Sequence, residues 1–559
     1  MLEALTQGWN GVALVYASVE VPLLVGLIQQ RAGLRKILES PFLAVPLALA
    51  ADIGASLLSP LARAAGATAG GALEFGMAIG ICASVGYAGA CLVARQASSR
   101  GAHRRGAVIS DPPSPAHARH ADSRHSALER GQISLAGVPV AAQDETKHFK
   151  LIGTTGTGKS TAVQEILAGA LARGDRAVIA DPDYGYVRRF YEPDRGDVIL
   201  NPFDTRARKW DLFGEISQAY DVDQLARSLI PDQGGADRSW REYARTFFTS
   251  VTQQARAGGE TRLEELNRLL LMAEPEELRT MVAGTPAQPF LRESNARMFD
   301  SIRSVTSSAI GSLGHVARQE APLFSVRKWV QGRDAPGGVL FMPYRAGQIA
   351  ALRTTISAWM RLAIFEAMNQ PEGDQRLWFV VDELDALGQI DGLKDALARL
   401  RKFGGRCVLG LQSIAQVSST YGAGEAQTIV ENCGNTLILR CAGSEHGGTA
   451  HFASRLIGQR EVIRTTVSRS RQPYQWFSSI TRAEQPNIEP AVLDSEVEQL
   501  PDLAGFLKFA SVPEWYRVRL VPEAYAHPGT VRTEARTQDR QHPRGLGRDT
   551  LADEHSVSD

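Results

Sequence analysis

The sequence predicts an α/β fold preceded by membrane-spanning helices. Three observations carry that prediction. A Gly/Thr-rich loop ends in Lys159-Ser160 between a strand signal and a helix signal. An apolar run from Leu377 to Val381 ends in Asp382-Glu383. Three long apolar stretches lie before residue 95.

Composition sets the bounds. With 559 residues, 61 Lys+Arg against 61 Asp+Glu, and 44% hydrophobic residues, the chain is long enough for about four compact units of roughly 150 residues. It is too apolar to be wholly disordered. Five cysteines, Cys82, Cys91, Cys407, Cys433 and Cys441, show no CxxC spacing, which argues against a disulfide framework or a zinc site and for a reducing compartment. Zero net charge excludes a uniformly basic coat but leaves room for local basic patches.

At the N-terminus, residues 11–28, 41–60 and 75–94 are candidate spans, interrupted only by Glu20 and Asp52 in the first two. At 1.5 Å per residue, about 20 residues cross a bilayer core of roughly 30 Å. One carboxylate in mid-helix costs about 2.5 to 3.5 kcal/mol, which a run of Leu, Val and Ala offsets. Basic residues follow the first stretch (Arg31, Arg35, Lys36) and the third (Arg95, Arg100, Arg104, Arg105), which places everything after residue 95 in the cytoplasm. Two spans or three satisfy that rule, according to the side on which the N-terminus lies. A removable signal peptide is not expected, because no basic n-region precedes the first apolar run.

Residues 95–130 hold seven Arg and three acids, with Pro112, Pro113 and Pro115, and read as a basic flexible linker. The tail 527–559 is polar, rich in Arg and Pro, and is expected to be disordered.

The chemistry begins at Phe149–Ile152, a short apolar strand signal that runs into Gly153-Thr154-Thr155-Gly156-Thr157-Gly158-Lys159-Ser160-Thr161 and then a helical stretch. That is a P-loop in its proper context. Glycines let the backbone curl so that N–H groups and the helix N-terminus face phosphate oxygens, Lys159 reaches the β- and γ-phosphates of ATP, and Ser160 coordinates Mg²⁺. The run Leu377–Val381 suits a strand buried on both faces. Asp382 at its end would hold Mg²⁺, directly or through water, and Glu383 would orient and polarise the attacking water. Cys407–Leu411 is the next strand, ending at Gln412-Ser413. Gln412 then lies beside the phosphates, where a neutral amide senses the γ-phosphate. Between these strands, Arg401 in a basic cluster is a candidate to supply charge to a neighbouring subunit's site, with a solvated helix end as the alternative.

Phe149 through Ser160, the block Asp197-Val198-Ile199-Leu200-Asn201-Pro202-Phe203-Asp204 with Trp210-Asp211, and Arg401-Lys402-Phe403-Gly404-Gly405 leading to Gln412-Ser413 together resemble the TraD/TrwB/TraG-type coupling proteins of type IV secretion. The likeness covers about residues 130 to 525. It implies a RecA-like P-loop motor domain over 131–214 and 331–526, an all-α domain inserted over 215–330, and assembly as a homohexamer at the inner membrane. Leu225, Leu229, Leu263, Leu266 and Leu269 to Leu271 independently give that insert helical periodicity.

By the same likeness the chain is an ATPase that carries DNA, in complex with a relaxase in the relaxosome, towards the secretion channel during conjugation. Single-stranded and duplex DNA are both open as substrates. Trp240, Arg241 and Arg245 fall on a helix that resembles one near the family's channel mouth, where an aromatic stacks on bases and arginines track phosphates; helix packing by Trp240 is the competing role. Alternatives are effector-protein export, an FtsK-like duplex translocase, and a nucleotide-gated receptor that does not pump.

Overall fold

The computed structural model describes residues 9–29, 37–64, 72–98, 102–112, 132–232, 238–332, 338–373, 375–444, 447–470 and 479–522. Most of the expected linker and the whole expected tail, 527–559, lie outside the described residues. The chain divides into two compact units, Met1–Val108 with Ser454–Leu493, and Ile109–Ala453 with Asp494–Asp559.

In the first unit, helices α1 (Trp9–Gln29), α2 (Ser40–Ala64) and α3 (Ala72–Ser98) occupy the three expected spans. They pack through small interfaces: Val19, Ala51 and Cys82 form one cluster, and Leu23, Leu27, Ala44 and Ala90 another. The Ser40 hydroxyl donates to the Glu20 carboxylate at 2.9 Å, so the carboxylate in mid-helix meets a polar partner. Among the described residues no helix is long and apolar enough to cross a membrane. The structure thus gives helices where spans were expected, without showing a crossing.

The stretch expected as a linker departs from that expectation at its start. Residues up to Ser98 belong to α3, and Ala102–Gly106 pairs antiparallel with Gln459–Ser470, itself the first arm of a hairpin with Ser479–Pro490. The physical reason is charge pairing. Arg104 and Arg105, which read as solvated basic residues, both bind Glu461, at 3.1 Å in the case of Arg104.

The second unit is built on a ten-stranded sheet. Its strands are β1 (Ile109–Ser110), β2 (Phe149–Ile152), β3 (Arg176–Pro182), β4 (Val198–Ile199), β5 (Val339–Tyr344), β6 (Leu377–Val381), β7 (Gly405–Leu411), β8 (Asn435–Ile438), β9 (Ala504–Lys508) and β10 (Trp515–Arg519). They run in the order β1-β10-β9-β8-β2-β7-β6-β3-β5-β4. From β8 to β4 all neighbours are parallel, and β9 and β10 extend the sheet antiparallel.

Each residue of β2, β5, β6, β7 and β8 is buried; β6 is an unbroken apolar run, as a strand covered on both faces requires, whereas β2, β7 and β8 also bury Lys150, Arg406 and the pair Asn435-Thr436. Helices α4 (Lys159–Ala172), α7 (Ile349–Met368), α8 (Leu393–Leu400) and α9 (Ile414–Tyr421) connect or flank the strands, and α5 (Ala219–Leu229) and α6 (Arg238–Ala257) lie in the insert between β4 and β5. Parallel order puts β2, β6 and β7 side by side, so the loops after Ile152, Val381 and Leu411 open on one edge of the sheet.

Between Phe213 and Val330 the described chain is almost wholly helical, as the leucine spacing implies. Leu225, Leu229, Leu263, Leu266, Leu269 and Leu270 are buried. A short parallel pair, Lys209–Trp210 with Leu323–Phe324, closes the insert at its base. There the buried Glu215 carboxylate accepts from Trp210 Nε1 at 2.9 Å, Val326 N at 2.7 Å and Arg327 N at 2.9 Å. The block Leu200-Asn201-Pro202-Phe203-Asp204 is a structural corner. The Asn201 side chain donates to Pro343 O at 2.8 Å and accepts from Phe203 N at 2.8 Å, fixing the exit of the chain from β4 against the end of β5.

Candidate nucleotide site

The loop 153–158 leaves β2 and enters α4 with Gly158 at φ +115°, a conformation that favours glycine; a Cβ there would come within 2.8 Å of the Leu503 side chain. Backbone bonds anchor the loop from both sides. Gly153 N donates to Leu411 O on β7 at 3.1 Å, Thr154 N to Arg440 O at 2.9 Å, and Leu503 N to Thr157 O at 3.0 Å. The Thr157 hydroxyl donates to Thr154 O at 2.7 Å, and Thr161 lies in the first turn of α4. The N-terminus of this 14-residue helix therefore opens on the loop with its partial positive charge.

Lys159 is buried, and its ammonium donates to Gly153 O at 2.7 Å and Thr154 O at 3.1 Å. Burial lowers its pKa, with the nearby Asp382 and Glu383 carboxylates acting the other way. A cation held by neutral carbonyls next to a helix N-terminus is suited to an anion.

β6 delivers Asp382 and Glu383 next to this loop. Its partner β7 carries Gly410, where a Cβ would lie 1.9 Å from Asp382 O; the glycine permits the close approach of the two strand ends. Asp382 is buried and uses one oxygen only. Its Oδ2 accepts from the Ser160 hydroxyl at 2.6 Å and the Tyr186 hydroxyl at 2.8 Å, while its Oδ1 is buried with no hydrogen-bond partner.

Glu383 is half-buried, and its pKa is raised by burial first and then by Asp382 and Asp385. It accepts from Gln412 Nε2 at 2.6 Å, and Gln412 Oε1 in turn accepts from the Thr155 hydroxyl at 3.2 Å. The residues singled out in sequence at the loop, at the end of β6 and at the end of β7 thus meet in one place.

Mg²⁺ fits this arrangement. The unpartnered buried oxygen of Asp382 and the Ser160 hydroxyl are hard oxygen donors placed side by side. Among the described residues no group of three or more His, Cys, Asp or Glu is placed to hold a metal by itself, as expected where phosphates and water complete the shell.

Arg401 does not join the site. It is exposed at the C-cap of α8, before β7 begins, whereas Gln412 follows that strand's other end. Seven residues of strand separate them, about 23 Å at 3.3 Å per residue. Trp240 is half-buried, edge-on to Tyr243 with ring centroids 5.9 Å apart. Arg245 Nε donates to Ile230 O at 2.7 Å and its guanidinium lies 3.5 Å from Asp232; the residue is engaged within its own chain. Arg241 is half-buried on the same helix. Sequence reasoning missed Asp181 and Tyr186, which flank Asp382. The signal lay in Asp181-Pro182-Asp183-Tyr184-Gly185 directly after an apolar strand, where a turn brings a side chain back onto the sheet edge.

A P-loop seated beside a Walker B carboxylate pair, on a mostly parallel sheet with a helical insert, defines a P-loop nucleotide-binding protein of the RecA-like α/β class. The profile of the type IV secretion-system coupling protein DNA-binding domain matches residues 132–521, and the chain belongs to that family of coupling proteins. It is similar to coupling protein TraD of Escherichia coli K12, 30% identical over 380 residues that make up 67% of this chain and 52% of TraD. It is also similar to the coupling protein VirD4 of Bartonella henselae, 27% identical over 223 residues, 38% of this chain and 34% of VirD4. The matched region thus spans about half of TraD and a third of VirD4.

Among solved structures, the plasmid coupling protein TrwB in complex with ADP and Mg²⁺ superimposes with a TM-score of 0.65 at 29% identity, covering 76% of this chain and 96% of that one. TrwB with a non-hydrolysable ATP analogue gives 0.64 at 29% identity, covering 76% and 95%.

Proposed function

We propose that this chain is an inner-membrane coupling ATPase that binds DNA and uses ATP hydrolysis to pass it, with its attached relaxase, into a type IV secretion channel. The observation that carries the reading is the joined set Thr155, Lys159, Ser160, Asp382, Glu383 and Gln412. Binding alone would need only the loop; the set adds a carboxylate for water and an amide linked to both. The TrwB structures with ADP and Mg²⁺ and with an ATP analogue support nucleotide at the equivalent loop.

In this reading the backbone of residues 153–158 and the N-terminus of α4 receive the phosphates, and Lys159 turns from the loop carbonyls to the β- and γ-oxygens. Ser160 and Asp382 hold Mg²⁺, which when bound neutralises charge on the phosphates. Glu383 orients and polarises water for attack on the γ-phosphorus, giving ADP and phosphate. Its raised pKa makes it a better proton acceptor than an ordinary carboxylate. Gln412 shares hydrogen bonds with Glu383 and Thr155, so loss of the γ-phosphate changes a contact that runs to the start of α9.

Arg401, exposed and remote from its own loop, acts on the site of the next subunit in a homohexamer. Trp240 offers a half-exposed ring to DNA, with Arg241 beside it, while Arg245 holds α6 in place. Helices α1 to α3 anchor the chain in the membrane. Their outward faces support this, carrying Val21, Ile28, Phe42, Val45, Leu49 and Ile53, with Phe42 80% and Ile53 63% exposed.

The test is ATP hydrolysis by the purified chain with single-stranded DNA, duplex DNA and neither, over a salt series. Stimulation that fades as salt rises supports phosphate-backbone contact. Stimulation by duplex alone favours an FtsK-like translocase, and indifference to DNA favours effector-protein export or a receptor role.

A further inference from the structure

Asp382 has two oxygens in unequal circumstances. Both of its hydroxyl donors, Ser160 and Tyr186, converge on Oδ2, and Oδ1 is left buried with no partner. A buried carboxylate oxygen without a donor is costly unless something else satisfies it. The Ser160 hydroxyl is itself claimed by the metal in a P-loop site. Tyr186 is the hydroxyl on Oδ2 that serves the carboxylate alone.

The mounting of Tyr186 is specific. The residue is 1% exposed. It is brought under Asp382 by a turn in which Asp183 and Tyr184 both have positive φ, 54° and 61°, a conformation that non-glycine residues adopt rarely and that concentrates at functional sites. The turn is held at both ends. Asp183 N donates to Tyr344 O on β5 at 2.8 Å, and the buried Asp181 carboxylate accepts from Tyr186 N at 3.0 Å and Val187 N at 2.7 Å. Asp181 is the penultimate residue of β3, the strand paired with β6, with Val381 opposite Ala180. The ring thus stands on the strand next to the one that carries Asp382.

We propose that Tyr186 is a positioning residue for the metal site: its hydroxyl fixes the Asp382 carboxylate on Oδ2 and so presents Oδ1 to Mg²⁺. The proposal rests on the nucleotide-binding function proposed for the phosphate loop. It adds a residue outside both that loop and the strand end that bears the ligand. Outer-sphere partners of this kind commonly tune metal affinity by about ten- to a hundredfold.

The test uses the full chain with Tyr186→Phe, which keeps the ring and removes the hydroxyl. Binding of a fluorescent ADP analogue is followed in EDTA and then against Mg²⁺. Expected are an unchanged affinity in EDTA, an unchanged melting temperature, and a half-saturating Mg²⁺ concentration about tenfold above the parent's. Asp181→Asn, which loosens the mount but leaves the hydroxyl, shifts it in the same direction by less. A Mg²⁺ titration of Tyr186→Phe that superimposes on the parent's overturns the proposal and leaves the nucleotide-binding function intact. A parent that binds no nucleotide with or without Mg²⁺ removes both.

Discussion

Gln412 donates its amide to Glu383 at 2.6 Å, a bond that joins the ends of two neighbouring strands, β7 and β6, across the place where the γ-phosphate is expected. The bond gives the two residues separable roles. In the proposed function Glu383 would supply the basic oxygen, and Gln412 would report on what that oxygen faces.

Substitution Glu383→Gln removes the basic oxygen and keeps the size. ATP hydrolysis should fall by at least a hundredfold, as for loss of a general base, while nucleotide affinity stays within about twofold. Because burial and the neighbouring carboxylates raise the Glu383 pKa, the acid limb of the parent's pH–rate profile should be displaced upward from that of a free glutamate, with activity lost as pH falls through it and the residue protonates. Steady-state hydrolysis with a parallel binding assay checks both statements.

Arg361 on α7 is 3% exposed and binds both the motor sheet's connections and the helical insert. Its Nε donates to Asp391 O at 3.0 Å on the chain beyond the Walker B strand, and its Nη atoms donate to Ser228 Oγ and Gln224 Oε1 on α5 of the insert, each at 3.0 Å. Removing it takes the shared donor from the buried Ser228 and from the half-buried Gln224 and Asp391. Arg361→Ala should lose about 3 to 5 kcal/mol of stability and Arg361→Lys less, as read by urea midpoints.

His148 sets a pH dependence that owes nothing to catalysis. It is buried, its Nδ1 accepts from Cys407 N at 3.1 Å and its Nε2 donates to Leu397 O at 2.9 Å, a pattern that requires the neutral ring. Burial first, then Arg401 and Arg406, push its pKa down to about 4. Between pH 6.5 and about 4 the unfolded chain therefore binds the proton that the native chain refuses. The stability it contributes is complete above about pH 6.5 and is lost as pH falls towards about 4, amounting to about 3 kcal/mol at about 1.4 kcal/mol per pH unit. Denaturation midpoints should fall further between about pH 7 and about pH 5 in the parent than in His148→Gln.

How much the sequence disclosed depends on how local each signal is. The phosphate loop, the Asp382-Glu383 strand end and Gln412 were legible because a parallel strand buried on both faces is a continuous apolar run, and the polar residues directly after it must lie at the sheet edge. The helical insert was legible from the leucine period. Tyr186 was not, because its role depends on two left-handed residues that precede it and on a carboxylate 196 residues away. The strand Ala102–Gly106 was hidden for a related reason. Its arginines are polar in any local window, and only Glu461, 356 residues further on from Arg105, gives them a partner.

Lys159 carries the most direct test. In cells that transfer DNA through this chain, Lys159→Ala should abolish transfer and leave protein level and membrane association unchanged. Transfer at the parental frequency by Lys159→Ala would contradict the account.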